Sequence, residues 1–415
     1  DSPVHVTEEQ VSWIASVDAL GCIVGGLLSG PLISTGRKTT YVILIFPVTI
    51  YWLIMAFAQN VWMIYASRFL SGACFGATSN AAQVYISEIA AQKTRGVLGS
   101  LPALSCSSGF IVCYVGGMYF DWQMLALLGA CLAAPSFILL FLIPESPAYL
   151  MLKGRTEEAE TILKKLRGKN TDITLEISRL SSITKDKVEE DSDIRELFRP
   201  NILKPLAMML FVSYLFRFCG IRVVQSYTNE ILCKIGTNIS PTIGMVIIGC
   251  FQVIGNILSL FGMRKVGRRV LLINSLLFMG LMVMTLGVLA ILKKKVQGFD
   301  LSEGYGWIPL VILVIYILAF GIGLSPLSGL LIGEILPIKH REITVSVNGV
   351  FSWFFAFVVT KTYSDMVNTQ PFCFHGTLWF YAANCFVGCV VVYIFLPETR
   401  NKTLAQIQHR FDSPN

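Results

Sequence analysis

The residues of this chain best placed to do chemistry are two basic turns, a pair of arginines inside one apolar stretch, and a few amides and aromatics near them. Gly36-Arg37-Lys38 recurs as Gly267-Arg268-Arg269, each copy standing between long apolar stretches. A repeat of that kind marks a duplicated helical bundle whose paired helices reverse tightly at one membrane face. Glycine permits the reversal, and the arginines stay in the headgroup layer and resist being drawn across. Arg217 and Arg222 are a sharper signal, because both lie in one apolar stretch. An unpaired guanidinium there costs at least about 2.5 to 3.5 kcal/mol, so each needs a carboxylate, water or solute. Five residues apart on a 3.6-residue period, they point about 140° apart. One of them can line a cavity while the other meets a neighbouring helix, and Glu230 and Asp365 are candidate partners.

Around them lie groups suited to recognition rather than bond making. Arg222, Gln225, Tyr227, Thr228 and Asn229 follow one another along one segment, Gln252 and Asn256 share a helix face, and Ser352 and Trp353 are adjacent. Such side chains can bind hydroxyls or stack on a ring, and hydrogen bonding between helices is their other common use. No Ser-His-Asp set, Gly-rich phosphate loop or metal-ligand spacing occurs. His5, His340, His375 and His409 are far apart, and most of the 11 cysteines stand singly in apolar stretches as small hydrophobes. No catalytic residue, metal or bound cofactor is implied.

The elements that must position these groups are membrane helices. Of the 415 residues, 54% are hydrophobic and 14% charged, against about 25% charged in soluble domains. Eleven segments are long enough to span a bilayer, at 10–30, 40–58, 61–88, 97–119, 124–143, 202–232, 242–262, 270–292, 307–335, 344–365 and 376–396. The net charge of +7 does not mark a nucleic-acid surface, because roughly three quarters of the Lys and Arg fall in alternate loops, the pattern of the positive-inside rule. Those loops are assigned to the cytoplasm, with the C-terminus. The boundaries follow: an N-terminal bundle over 1–143, a charged cytoplasmic helical linker over 144–201, a C-terminal bundle over 202–396, and a cytoplasmic tail over 397–415. Within the linker, the acids of Thr156-Glu157-Glu158-Ala159-Glu160 and the later Lys164, Lys165 and Arg167 predict a helix charged to suit its dipole. Amphipathic stretches at 175–183 and 194–198 follow. The first basic turn lies one helix too near the start of the chain, which predicts that a transmembrane helix belonging to the first bundle is absent from this sequence.

Several strings, in this order along the chain, resemble the sugar porter family of the major facilitator superfamily, and within it the arthropod trehalose facilitators. They are Arg68-Phe69-Leu70-Ser71-Gly72, Ser87-Glu88-Ile89-Ala90 leading to Arg95, Pro144-Glu145-Ser146-Pro147-Ala148-Tyr149-Leu150, Lys153-Gly154-Arg155, Gly333-Glu334-Ile335-Leu336-Pro337 leading to Arg341, and Pro397-Glu398-Thr399-Arg400. The resemblance spans the chain. It implies an all-α membrane protein with the major facilitator fold: two pseudo-repeated bundles, 11 of 12 transmembrane helices, and a cytoplasmic helical insert. It also implies that Arg37, Glu88, Arg95, Glu145, Arg268, Glu334, Arg341 and Glu398 bridge cytoplasmic helix ends and hold that side closed when the other is open.

The same resemblance exposes departures. The aspartate that the family places four residues ahead of each turn arginine is replaced by Ile33 and Arg264. Positions that carry sugar-binding amides in the family hold Ala103, Phe216, Arg217 and Arg222. Gln252 is a conservative replacement, Ser328-Gly329 replaces a Pro-Trp pair, and Ser352 replaces an asparagine. The implied function is alternating-access carriage of a small polar solute, by default a hexose or trehalose-like disaccharide, in a multi-pass protein of the plasma membrane whose partners are the solute and the bilayer. The substitutions leave open a carrier for an anionic solute and a transport-dead sensor or scaffold.

Overall fold

The computed structural model describes residues 6–91, 95–168, 173–174, 176–178, 200–235, 237, 239–295, 305–336, 341–369 and 373–398. Its elements are helical throughout. The first half contains α1 (Glu8–Ser34), α2 (Arg37–Ala56), α3 (Val61–Ile89), α4 (Arg95–Tyr119) and α5 (Trp122–Leu142). Two short helices follow, α6 (Pro147–Leu152) and α7 (Thr156–Arg167). The second half contains α8 (Pro200–Phe218), α9 (Ile221–Ile235), α10 (Pro241–Lys265), α11 (Arg268–Lys295), α12 (Ile308–Ile322), α13 (Leu324–Ile335), α14 (Arg341–Asn368) and α15 (Cys373–Phe395).

Among the described residues, ten helical spans are long and apolar enough to cross a membrane. The eleventh expected segment is α3, whose 29 residues suffice in length but include Ser67, Arg68, Asn80, Gln83 and Glu88. It is shielded by close packing on α1. A Cβ on Gly25 would stand 1.9 Å from the Ala73 carbonyl oxygen, and one on Gly72 would stand 1.9 Å from that of Asp18. Small residues spaced by four on both helices let the backbones touch, which substitutes for a hydrophobic drive inside lipid. Outward faces elsewhere carry exposed Leu27, Leu28, Phe46, Leu139 and Phe141, the surface that acyl chains cover.

Two segments read as continuous, 202–232 and 307–335, are broken helices. The first breaks between α8 and α9 at Gly220, whose φ is +92°, with a further irregularity at Tyr227. The second breaks at Gly323, where a Cβ would come within 2.3 Å of Ser275. A break in the hydrocarbon layer frees backbone groups that must be satisfied by protein. Tyr316 Oη donates to the Cys219 carbonyl at 3.0 Å, and Ser275 Oγ donates to the Ala319 carbonyl at 2.7 Å while accepting from the Leu324 N–H at 3.2 Å. Tyr316, Tyr363 and Tyr381 are wholly buried in the second half, which holds the larger core.

The helix expected from residue 156 is α7, with Glu157 and Glu158 in its first turn and Lys164, Lys165 and Arg167 in its last. Arg167 ties it to the first half, donating to the Ile89 carbonyl at 2.9 Å and to Glu176 at 2.7 Å. The stretch 175–183 is described only in part, and 194–198 and the tail beyond 398 lie outside the described residues. All 11 cysteines are free.

Candidate functional site

The first basic turn folds around two carboxylates. Arg37 opens α2 directly after Gly36, whose φ of +138° lies where a Cβ would be strained. The Glu145 carboxylate caps this helix start: its Oε1 accepts from the N–H groups of Arg37 at 3.0 Å, Lys38 at 3.1 Å and Ser146 at 2.9 Å. Three backbone donors and the positive end of the helix favour the charge there. The Arg37 guanidinium forms a bidentate pair with Glu88 at the end of α3, Nη2 to Oε1 at 2.6 Å and Nε to Oε2 at 2.9 Å. Ser146 Oγ donates to the same carboxylate. The Tyr149 ring lies 5.2 Å from the guanidinium, and its hydroxyl donates to the Thr35 carbonyl at 2.7 Å. Arg37 is thereby buried.

The second turn repeats the plan more loosely. Glu398 accepts from the N–H of Arg268 at 2.8 Å and of Arg269 at 3.2 Å, capping α11 as Glu145 caps α2. Gly267 passes so near that a Cβ would stand 2.3 Å from Glu398 Oε2. Arg268 reaches Glu334 at the end of α13 through one contact of 3.3 Å. Arg268 Nε and Glu334 Oε2 are buried with no hydrogen-bond partner.

Both sets of charges join helix ends within one half. The contacts of Arg37, Glu88, Glu145, Arg268, Glu334 and Glu398 bridge helix ends, as expected, within each half. Arg95 and Arg341 open α4 and α14, but their side chains lie outside what is described.

The halves meet nearer the middle. Arg222, in the first turn of α9, pairs with Asp18 of α1. Asn256 of α10 donates to Ser107 Oγ of α4 at 3.1 Å, and Ser12 of α1 donates to the Lys361 carbonyl of α14 at 3.2 Å. Arg217 lies over the Trp353 ring at 4.3 Å and the Phe216 ring at 4.9 Å, and donates from Nε to Ser352 Oγ at 3.2 Å. Trp353 also meets Phe75 of α3 edge to face at 5.6 Å. Gln225 and Gln252 lie 3.5 Å apart, amide nitrogen to amide oxygen.

Among the expected site residues, Ser352 and Trp353 meet Arg217, Arg222 meets Asp18, and Gln225 and Gln252 meet each other. Tyr227 meets none of these: the α9 irregularity turns its ring into the core against Tyr363, at 4.5 Å. Asn256 is engaged with α4 and serves the seam between halves. The proposed partners Glu230 and Asp365 are also corrected. Glu230 pairs with Lys234 at 2.6 Å, and the acid that meets Arg222 is Asp18, which sequence reasoning missed. Its signal was available, since a carboxylate eleven residues into an apolar segment needs a cation. That cation lies 204 positions away.

Three comparisons bear on the whole chain. The family model described as sugar (and other) transporter matches residues 2–411. The facilitated trehalose transporter Tret1 of Apis mellifera ligustica is 36% identical over 414 residues, 99% of this chain and 81% of that protein. The Tret1 of Drosophila yakuba is 38% identical over 98% of this chain, and the chain spans 47% of its length. Among solved structures, the proton:xylose symporter XylE bound to 6-bromo-6-deoxy-D-glucose superposes with a TM-score of 0.80, covering 99% of this chain and 92% of that one at 22% identity. A partially occluded inward-open form of XylE from E. coli gives 0.78 over 97% and 91%. These structures carry the fold: it is the major facilitator fold.

Proposed function

The chain belongs to the sugar transporter family, and from that premise we propose that it carries a sugar across a membrane by alternating access. The observation that carries the reading is the junction of the halves. Their polar contacts include Asp18 with Arg222 and Asn256 with Ser107, and Ser12 with the Lys361 carbonyl near the α1 start, whereas the charged turns hold helix ends of each half together. Two rigid bundles joined at a polar seam can rock about it and expose that seam to either side. The turns with their capping glutamates keep each bundle stiff during the motion, which gives Arg37, Glu88, Glu145, Arg268, Glu334 and Glu398 a conformational role without any contact to solute. Gln225, Gln252, Ser352 and Trp353 supply the amide, hydroxyl and aromatic groups that a hydroxylated solute needs.

By the positive-inside rule the basic turns, the insert at 144–201 and the C-terminus face the cytoplasm, and the plasma membrane is the bilayer we assign. We divide the chain into a bundle at 1–143, a linker at 144–201, a bundle at 202–396 and a tail at 397–415. Its chemistry is non-covalent, and the trehalose carriers among its relatives make a disaccharide the first solute to test. The test is counterflow of labelled trehalose, glucose and other sugars in vesicles holding the full-length protein. Saturable flux of at least one sugar, competed by its unlabelled form, is expected. Vesicles that move no solute above protein-free controls would overturn the carrier reading and favour a sensor or scaffold.

A further inference from the structure

We propose that the solute is a hydroxylated compound bearing an anionic group, a carboxylate or phosphate, held by Arg217 and Arg222. The inference rests on the carrier reading and specifies the substrate class of the same central site. Its first support is a charge count. Arg222 pairs with Asp18 across the seam, whereas Arg217 meets only Ser352 and two aromatic rings among the described residues, so the two guanidiniums have one carboxylate between them. The neighbouring Cys22 and Cys106 bring no formal charge as thiols. A buried Arg217 with no carboxylate among the described residues calls for an anion or water.

The second support is donor geometry. Arg217 is 9% exposed, yet among the described residues it makes one hydrogen bond, through Nε to Ser352. Phe216 and Trp353 hold its guanidinium by their faces, which leaves its terminal amino groups without a protein acceptor. Arg222 gives Nη2 to Asp18, and its Nε is buried without a partner, as is Asp18 Oδ1. A guanidinium fork matches a carboxylate or phosphate two bonds at a time. Neutral hydroxyls satisfy such donors but leave the charge uncompensated.

The third support is the broken helix. The stop at Gly220 brings the start of α9 beside Arg222, and a half-helix start inside a transporter favours an anionic group. Gln225, one turn further on, and Gln252 then face the rest of the solute as hydroxyl partners. Asp18 acts as the resident counter-ion. An arriving anion competes with it for Arg222 and so loosens a contact between halves, which couples binding to movement.

The test measures binding of D-glucuronate, glucose 6-phosphate, D-glucose and trehalose to the purified full-length protein by calorimetry, with counterflow in vesicles alongside. At least one of the two anions should bind tenfold or more tightly than glucose or trehalose, and the better anion separates the carboxylate and phosphate versions. Arg217→Gln should weaken that binding by tenfold or more. Asp18→Asn, which removes the competing carboxylate and keeps the shape, should strengthen it severalfold. Transport of neutral sugars with anions bound no better would overturn the anion inference and leave the carrier reading intact. Anion binding without flux would overturn the carrier reading and uphold the site. No binding by any of the four overturns the inference.

Discussion

The two basic turns have the same sequence plan and different tightness. At the first, Arg37 meets Glu88 through two bonds of 2.6 and 2.9 Å, Ser146 joins the carboxylate, and Tyr149 covers the guanidinium. At the second, Arg268 meets Glu334 through one contact of 3.3 Å and leaves buried polar atoms unpaired. The capping glutamates, in contrast, are nearly equivalent, each accepting from the opening N–H groups of its helix. Duplication thus preserved the cap, which depends on backbone, and let the side-chain pair diverge. What it teaches is that the conserved geometry of such a turn lies in the glutamate that closes it, whereas the arginine pair can be tuned separately in each half.

The largest way to break the comparison is Glu88→Gln. The pair is nearly buried, with side-chain exposures of 8% and 16%, so removing the carboxylate leaves Arg37 without a counter-charge, which costs about 3 kcal/mol. Thermal unfolding of the purified protein in detergent should show a marked loss of stability, several times that of Glu334→Gln. Equal shifts for the two variants would show that the tight geometry contributes nothing extra.

Backbone conformation gives the next test. Gly36→Ala places a Cβ at a φ of +138° and 2.9 Å from the Glu145 carboxylate, a strain of about 1 to 3 kcal/mol. Gly267→Ala has no positive φ to strain; its Cβ would stand 2.3 Å from Glu398 Oε2, and the carboxylate end must shift while keeping its bonds to the Arg268 and Arg269 N–H groups. In the same unfolding assay Gly36→Ala should be clearly the more damaging of the two. A larger effect at Gly267 would reverse the ranking of the turns.

How much of this was legible in the sequence follows the same division between local and distant causes. Helix positions were readable because apolar length and basic loops are local, and α7 was readable from its own charge order. The breaks at Gly220 and Gly323 were not, since each glycine sits inside a segment long enough to read as one span, and the groups that satisfy the freed backbone are distant: Tyr316 for one and Ser275 for the other. The central site was half legible. Arg217 and Arg222 stood out because charge is rare in lipid, but Asp18 lies in a different half, and periodicity carries no information about which distant helix supplies a partner. Tyr227 misled because helical spacing assumed regular backbone, and the irregularity at that residue turns it into the core.

The smallest expected effect concerns Glu334→Gln, and it bears most directly on mechanism. Its contact with Arg268 is single and long, and both side chains are about a fifth exposed, at 23% and 20%. An amide at that position can still accept through its oxygen, so the loss reduces to a partly screened charge, about 1 kcal/mol or less. A double-mutant cycle of Glu334→Gln with Arg268→Gln should give a coupling below that of the same cycle at Glu88 and Arg37. Because both residues belong to one half, distances between spin labels placed on opposite halves should stay unchanged in the single variant. If those distances instead shift toward a different state, Glu334 reaches across the seam during the cycle. The charged turn would then act on the opposite half as well as on its own.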